Sequence, residues 1–243
     1  MNNLNNEKYV VSLYDYTGEA LRPWAERGFQ CLAFDIQHRE DPTVESFESG
    51  GKIVYLNADL HTWSGFGRVE YLLSGLDIVF GMAFPVCTDL AVSGATHFKA
   101  KAKADPDFQT RAVQHAKNAA DFLNRLGCPW FIENPISVLA TQWRSPDYRF
   151  DPFEYGGYIP ADKGDHPTWP EYIAPFDAYP KRTCLWTGNG FVMPATKPVE
   201  VQKGYAKQHL KLGGKSAKTK NIRSATPRGF AIAICESNGG SVQ

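Results

Sequence analysis

Residues 9–35 read YVVSLYDYTGEALRPWAERGFQCLAFD, and the fold class turns on them. Tyr9–Tyr14 is a short run of β-branched and aromatic residues that stops at Asp15-Tyr16-Thr17-Gly18, a turn sequence. A helical stretch over 19–27 follows and ends at Gly28; a second apolar run at 31–34 then stops at Asp35. Strand, tight turn, helix and second strand in so short a span make a βαβ unit.

The pattern continues outward. Ile53–Leu56 reads as a third strand ending near Asp59, and Leu76–Ala83 as a fourth that runs into Phe84-Pro85-Val86-Cys87. Phe108–Leu126 has helical periodicity, with Ala112, Val113, Ala116, Ala119, Ala120 and Leu123 along one side. After Gly127, Trp130–Ile132 is a fifth strand leading into Glu133-Asn134-Pro135. Strands alternating with helices predict an α/β, doubly wound parallel sheet, whose ligands lie beyond the carboxyl ends of the strands. Those ends carry Asp15, Thr17 and Gly18, then Asp35, Asp59, Pro85 with Cys87, and Glu133. From 143 to 198 the chain is rich in Pro, Tyr, Trp and Gly and reads as irregular connections around one or two further strands, with Trp143, Trp169 and Trp186 as packing residues. Arg228–Glu236 reads as a terminal helix returning to the sheet.

Composition narrows the class. The 243 residues are 43% hydrophobic and 21% charged, an ordinary globular balance. No stretch approaches the ~20 apolar residues of a membrane helix, and MNNLNNEKYVV lacks the basic start and apolar run of a secretory leader. A cytoplasmic protein is the expectation. Net charge is zero, but nine of the 26 basic residues and one of the 26 acids lie within 197–228. This suits a polyanion-binding face, and equally a solvated loop.

Five cysteines stand at 31, 87, 128, 184 and 235, an odd count without CxxC spacing, which argues against a disulfide framework or structural zinc. Cys31, Cys128, Cys184 and Cys235 lie in or beside apolar runs and read as core. Cys87, in the loop FPVCTDLAVSG with Ser93 and Gly94, sits at the ligand edge, where a thiol suits nucleophilic work. Glu133 ends the next strand, so thiol and carboxyl can face one pocket. At the first turn, backbone N–H groups can approach a ligand, and an acid such as Asp35 typically bonds ribose hydroxyls. An adenosine-containing cofactor fits. The glycine fingerprint of NAD enzymes and the P-loop are both missing.

In order along the chain, SLYDYTG, the Phe34-Asp35 pair, FPVCTDLAVSG, FIENP and KRTCLW resemble the DNA cytosine-5 methyltransferase family, most closely its short, divergent bacteriophage and prophage members. The resemblance implies a Rossmann-like S-adenosylmethionine-dependent sheet over 1–186, a small irregular, basic DNA-contacting region over 187–226 and a terminal helix over 227–243 returning to the catalytic domain. It implies S-adenosylmethionine at Asp15, Thr17 and Gly18, with Asp35 on the ribose, Asp59 near the adenine and Pro85 beside the cofactor. Cys87 matches the family nucleophile, Glu133 its conserved acid and Arg182 its basic motif near the target base. Ser93, Lys203, Lys207, Lys211, Lys215, Lys218, Lys220 and Arg223 would meet DNA. The chain departs from the family at Val86 before the cysteine, at Pro135 after Glu-Asn, and in its short recognition region. Sequence recognition borrowed from a partner protein therefore stays open. So do a different C5-pyrimidine modifier, such as a folate-dependent hydroxymethylating enzyme, and a catalytically silent DNA-binding module.

Overall fold

The computed structural model describes residues 7–201, 208, 211–212 and 216–240. Its elements run β1 (Lys8–Leu13), α1 (Arg22–Glu26), β2 (Gln30–Asp35), β3 (Thr43–Ser46), β4 (Lys52–Asn57), α2 (Trp63–Leu73) and β5 (Asp77–Ala83). After these come α3 (Phe98–Ala104), α4 (Phe108–Arg125), β6 (Trp130–Pro135), α5 (Leu139–Gln142), β7 (Tyr148–Phe150), β8 (Thr183–Gly188), α6 (Ala217–Ser224) and α7 (Arg228–Asn238).

The eight strands form one sheet in the order β3-β4-β2-β1-β5-β6-β8-β7. Strands β4, β2, β1, β5 and β6 are parallel, so Asp15, Asp35, Asp59, Cys87 and Glu133 all emerge from one edge. Strand β8 runs against both its neighbours, and short β3 pairs antiparallel at the far edge. Side chains alternate across the pleat. Val11, Leu13, Leu32 and Phe34 join α2 and α4 in a core on one face, while Val10, Cys31 and Ala33 join α1 and α7 in a core on the other. A satellite core of Ile173, Ala174, Ala178, Tyr179, Leu212 and Ile222 holds the irregular region together.

Three elements differ from expectation. The helix over 19–27 shrinks to α1 because Pro23 lacks an N–H and is tolerated only in the first turn; residues 19–21 form a turn before it. Strand β3 and helix α2 had no clear periodic signal: β3 is almost wholly exposed, and α2 is interrupted by Gly65 and Gly67. The terminal helix forms as read, and Cys31, Cys128, Cys184 and Cys235 are buried while Cys87 is exposed. Trp186 is fully buried and stacks on Trp143, and Trp169 stacks on His166.

The terminal helix is tied to the satellite region by a buried carboxylate. Asp177, in left-handed backbone (φ 49°), accepts a hydrogen bond from Gly229 N–H (2.9 Å) in the first turn of α7. Gly229 is required there, since a Cβ would stand 2.2 Å from the Tyr155 carbonyl oxygen. Desolvation pushes the Asp177 carboxyl up to about 6, against the pull of the Gly229 N–H and Arg228. The folded protein therefore binds an extra proton between the ordinary carboxyl range and about pH 6, and Asp177 adds stability as pH falls from 7 to 5. Buried His166, pushed down to about 4 by desolvation, works in the opposite direction in wild type and variant alike. Relative to Asp177→Asn, wild type is expected to gain about 1 kcal/mol between pH 7 and pH 5, read as thermal midpoints of both proteins. A pH-independent difference would show that the carboxyl titrates normally.

Candidate functional site

The site is assembled by two loops laced together at the ends of adjacent strands. After β5, Phe84-Pro85-Val86 leads into a single 3₁₀ turn, Cys87–Asp89. At the end of β6, Asn134 is almost wholly buried and donates its side-chain N–H to the Pro85 carbonyl (2.9 Å). Backbone bonds from Val92 N–H to the Ile136 carbonyl and from Val138 N–H to the Leu90 carbonyl (3.0 Å each) continue the lacing. Cys87 thus stands on a turn fixed on both flanks, and its thiol is exposed.

Glu133, half-buried, makes no hydrogen bond among the described residues. Desolvation raises its carboxyl and Lys181 draws it down. The Cys87 thiol is raised first by desolvation and then by the nearby Glu133 charge, against Lys181 and Lys220. Thiol and carboxyl therefore act on one another, and Lys181 acts on both. Lys181 was not singled out in the sequence, where Arg182 was. Arg182 instead pairs with the buried Asp151 (3.1 Å), while the Lys181 ammonium donates to the Arg223 carbonyl (2.8 Å) at the end of α6. Successive residues of an extended segment point to opposite sides, so of a Lys-Arg pair only one can face the site.

At the β1 end, Asp15 is spent on the turn itself. Its carboxylate accepts from Gly18 N–H and Ser12 Oγ (2.8 Å each) and from Thr17 Oγ1 (3.3 Å), and its backbone carbonyl faces His38 Nε2 (3.0 Å). Gly18 has φ 68° and lies under Tyr55, whose hydroxyl a Cβ would meet at 2.6 Å, so the turn needs glycine twice over. Tyr14 is also in left-handed backbone (φ 58°), held by its hydroxyl on the Leu60 carbonyl (2.8 Å).

The donor set fits an adenosyl group at the next two strand ends. Asp35 uses Oδ1 on the Gln37 N–H (2.8 Å) and leaves Oδ2 without a partner among the described residues, ready for a diol. Ile36 beside it is 57% exposed, an apolar plate at the ligand edge that the sequence did not flag. Asp59 is partly exposed and caps the His61 N–H (3.0 Å). Pro85 lies buried beneath the Cys87 turn. Two concavities, of about 330 and 210 Å³, lie to the sides along α1 and α2, and neither is lined by Cys87 or Glu133.

Of the basic segment, Lys203, Lys207 and Lys215 fall outside the described residues. Lys211, Lys218 and Lys220 are exposed, and Lys220 acts on Cys87. The Arg223 guanidinium is held by the Leu212 carbonyl (2.7 Å). Ser93 is exposed six residues beyond Cys87.

The fold is a Rossmann-like α/β fold. Its mark is the mostly parallel sheet with reversed β8 between β6 and β7. No protein-family model matches the chain, and no curated protein matches it by sequence. Among solved structures it is similar to a candidate DNA modification methyltransferase encoded within a prophage of E. coli, at 12% identity and a TM-score of 0.45. That likeness covers 96% of this chain and 70% of the other. No helix among the described residues is long and apolar enough to cross a membrane.

The electrostatics give a direct test. Alkylation rate follows the thiolate fraction, and Cys87 is the exposed thiol of the five. Glu133→Gln removes a charge that raises the thiol, so Cys87 should react faster with iodoacetamide at pH 8, and Lys181→Gln should slow it. Site-resolved mass spectrometry measures both. Equal rates in all three proteins would separate Cys87 from Glu133 and Lys181.

Proposed function

We propose that the protein is a DNA cytosine-5 methyltransferase using S-adenosylmethionine, with Cys87 as nucleophile. The observation that carries this reading is the pairing of an exposed thiol with a desolvated carboxyl on adjacent strand ends. C5 of cytosine is a poor nucleophile until C6 carries a substituent. The Cys87 thiol gives its proton to solvent and its sulfur bonds to C6, breaking the C5–C6 double bond. Glu133 serves best in its neutral form, donating a hydrogen bond or proton at N3, and its desolvation favours that form. The electron pair gathers at C5 as an enamine. The cofactor, when bound, supplies an electrophilic methyl group. Loss of the C5 proton to solvent, return of the N3 proton to Glu133 and departure of the Cys87 sulfur as thiolate would then restore the ring.

Asp35, Ile36 and Asp59 would hold the adenosyl portion, and the Asp15–Gly18 turn would shape the floor. The site edge is inaccessible to a stacked base, so the cytosine must flip out of the duplex, which costs a few kcal/mol. Lys181 supports this step as the cation beside the thiol. Contacts of Lys211, Lys218 and Lys220 with phosphate would offset the cost. The short region over 187–226 would serve as the recognition part.

The test is transfer of labelled methyl from S-adenosylmethionine to unmodified DNA, with product nucleosides resolved by mass. Wild type should yield 5-methylcytosine and Cys87→Ser none, while Glu133→Gln should lose about 10²–10⁴-fold in turnover. A hydroxymethyl product would replace the donor in this reading, and full turnover by Cys87→Ser would remove the nucleophile. A second expectation concerns binding: Lys218→Gln with Lys220→Gln should weaken DNA affinity and reduce its salt slope by about 2.

A further inference from the structure

A second basic element lies on the other side of Cys87, outside the segment just discussed. Residues 92–104 read VSGATHFKAKAKA: three lysines, one histidine and no acid. The stretch forms a 3₁₀ segment, Val92–His97, continued by α3, and neither contains a buried residue. A helix of seven residues is marginal by itself and ordinarily depends on packing an apolar face. Here the anchoring comes from elsewhere. Lys101 pairs with Asp89, in the Cys87 turn itself, and lies over the Phe108 ring (5.9 Å). Phe98 meets Phe108 (5.8 Å between centroids), and Val92 N–H is held by the Ile136 carbonyl.

Lysines 99 and 103 are four residues apart and share a face, while Lys101 lies well round the helix from both. With Lys101 turned in to Asp89, that shared face points away from the body. Lys99 and Lys103 are exposed and have no ion pair or hydrogen bond among the described residues. The outer face is thus cationic, exposed and tethered through one ion pair to the turn that carries Cys87. Val86 and Ile136, on the two laced loops, are exposed.

We propose that α3 is a phosphate-backbone contact for DNA, with Lys99 and Lys103 as the contacting groups and Lys101–Asp89 as the link to the Cys87 turn. The charge complement selects the occupant: an outer face with Lys99 and Lys103 and no acid, on a helix tethered to the Cys87 turn, suits a polyanion. Lys181, which acts on Cys87, donates to the Arg223 carbonyl at the end of basic helix α6 (2.8 Å), so the strand would be gripped by two elements rather than one. The proposal rests on the DNA-modifying reading above and adds a contact surface to it.

The test is fluorescence anisotropy of a labelled duplex with the full chain, titrated over salt concentration. Lys99→Gln with Lys103→Gln should weaken binding at least tenfold at 0.1 M salt and reduce the slope of log K against log salt by about 2, since each phosphate contact contributes about 0.9. Lys99→Arg with Lys103→Arg should keep both affinity and slope. Neither residue packs against the body, so circular dichroism and thermal midpoint should be unchanged in both pairs. Wild-type DNA binding with an unaltered slope in the glutamine pair would overturn the α3 assignment and leave the Cys87 chemistry standing. Wild type without salt-dependent DNA binding would overturn both.

Discussion

The hydrogen bond from the Asn134 side chain to the Pro85 carbonyl is the constraint on which the site depends. It joins the ends of β5 and β6 where parallel pairing stops, at a point buried from water. A buried carbonyl without a partner costs about 1–3 kcal/mol, so the two loops have a physical reason to stay together. The backbone bonds from Val92 to Ile136 and from Val138 to Leu90 extend the same lacing. Cys87 and Glu133 therefore do not meet through flexible loops; they are projected from a corner that the backbone closes.

Within that corner the charges are set against solvation. Desolvation raises both Glu133 and Cys87, and Lys181 moderates both. A neutral carboxyl can donate a hydrogen bond, which a carboxylate cannot, and desolvation shifts Glu133 toward that form. Lys181 also ties to the end of α6 through the Arg223 carbonyl, so the cation at the thiol is mechanically joined to a basic helix. Binding of a polyanion to α6 would then act on the same ammonium that tunes the thiol.

The first turn follows a different logic. Asp15 looks like a ligand in the sequence and serves as a brace in the fold, its carboxylate accepting three hydrogen bonds from Ser12, Thr17 and Gly18. Non-glycine left-handed backbone at Tyr14 stores roughly 1–3 kcal/mol of strain, held by Leu60. What remains open for a cofactor is the spare oxygen of Asp35 and the exposed face of Ile36.

Much of this was legible in the chain itself. Short apolar runs ending in Asp15, Asp35, Cys87 and Glu133 determined the α/β sheet and the edge on which polar groups gather, because run length and turn chemistry are local. Burial of four cysteines and exposure of the fifth followed from the same runs. The length of α1 departs from the expected 19–27, although its cause, Pro23, is local. What only the tertiary structure decided were matters of phase and proximity: that Lys181 rather than Arg182 acts on the thiol, that Asp15 is consumed by its own turn, and that α3 is tethered to Asp89. Side-chain direction at a strand end, and which distant loop supplies a partner, depend on how the sheet twists and where loops cross it. No local pattern carries that information, because the contacts join residues far apart in the chain, such as Pro85 and Asn134.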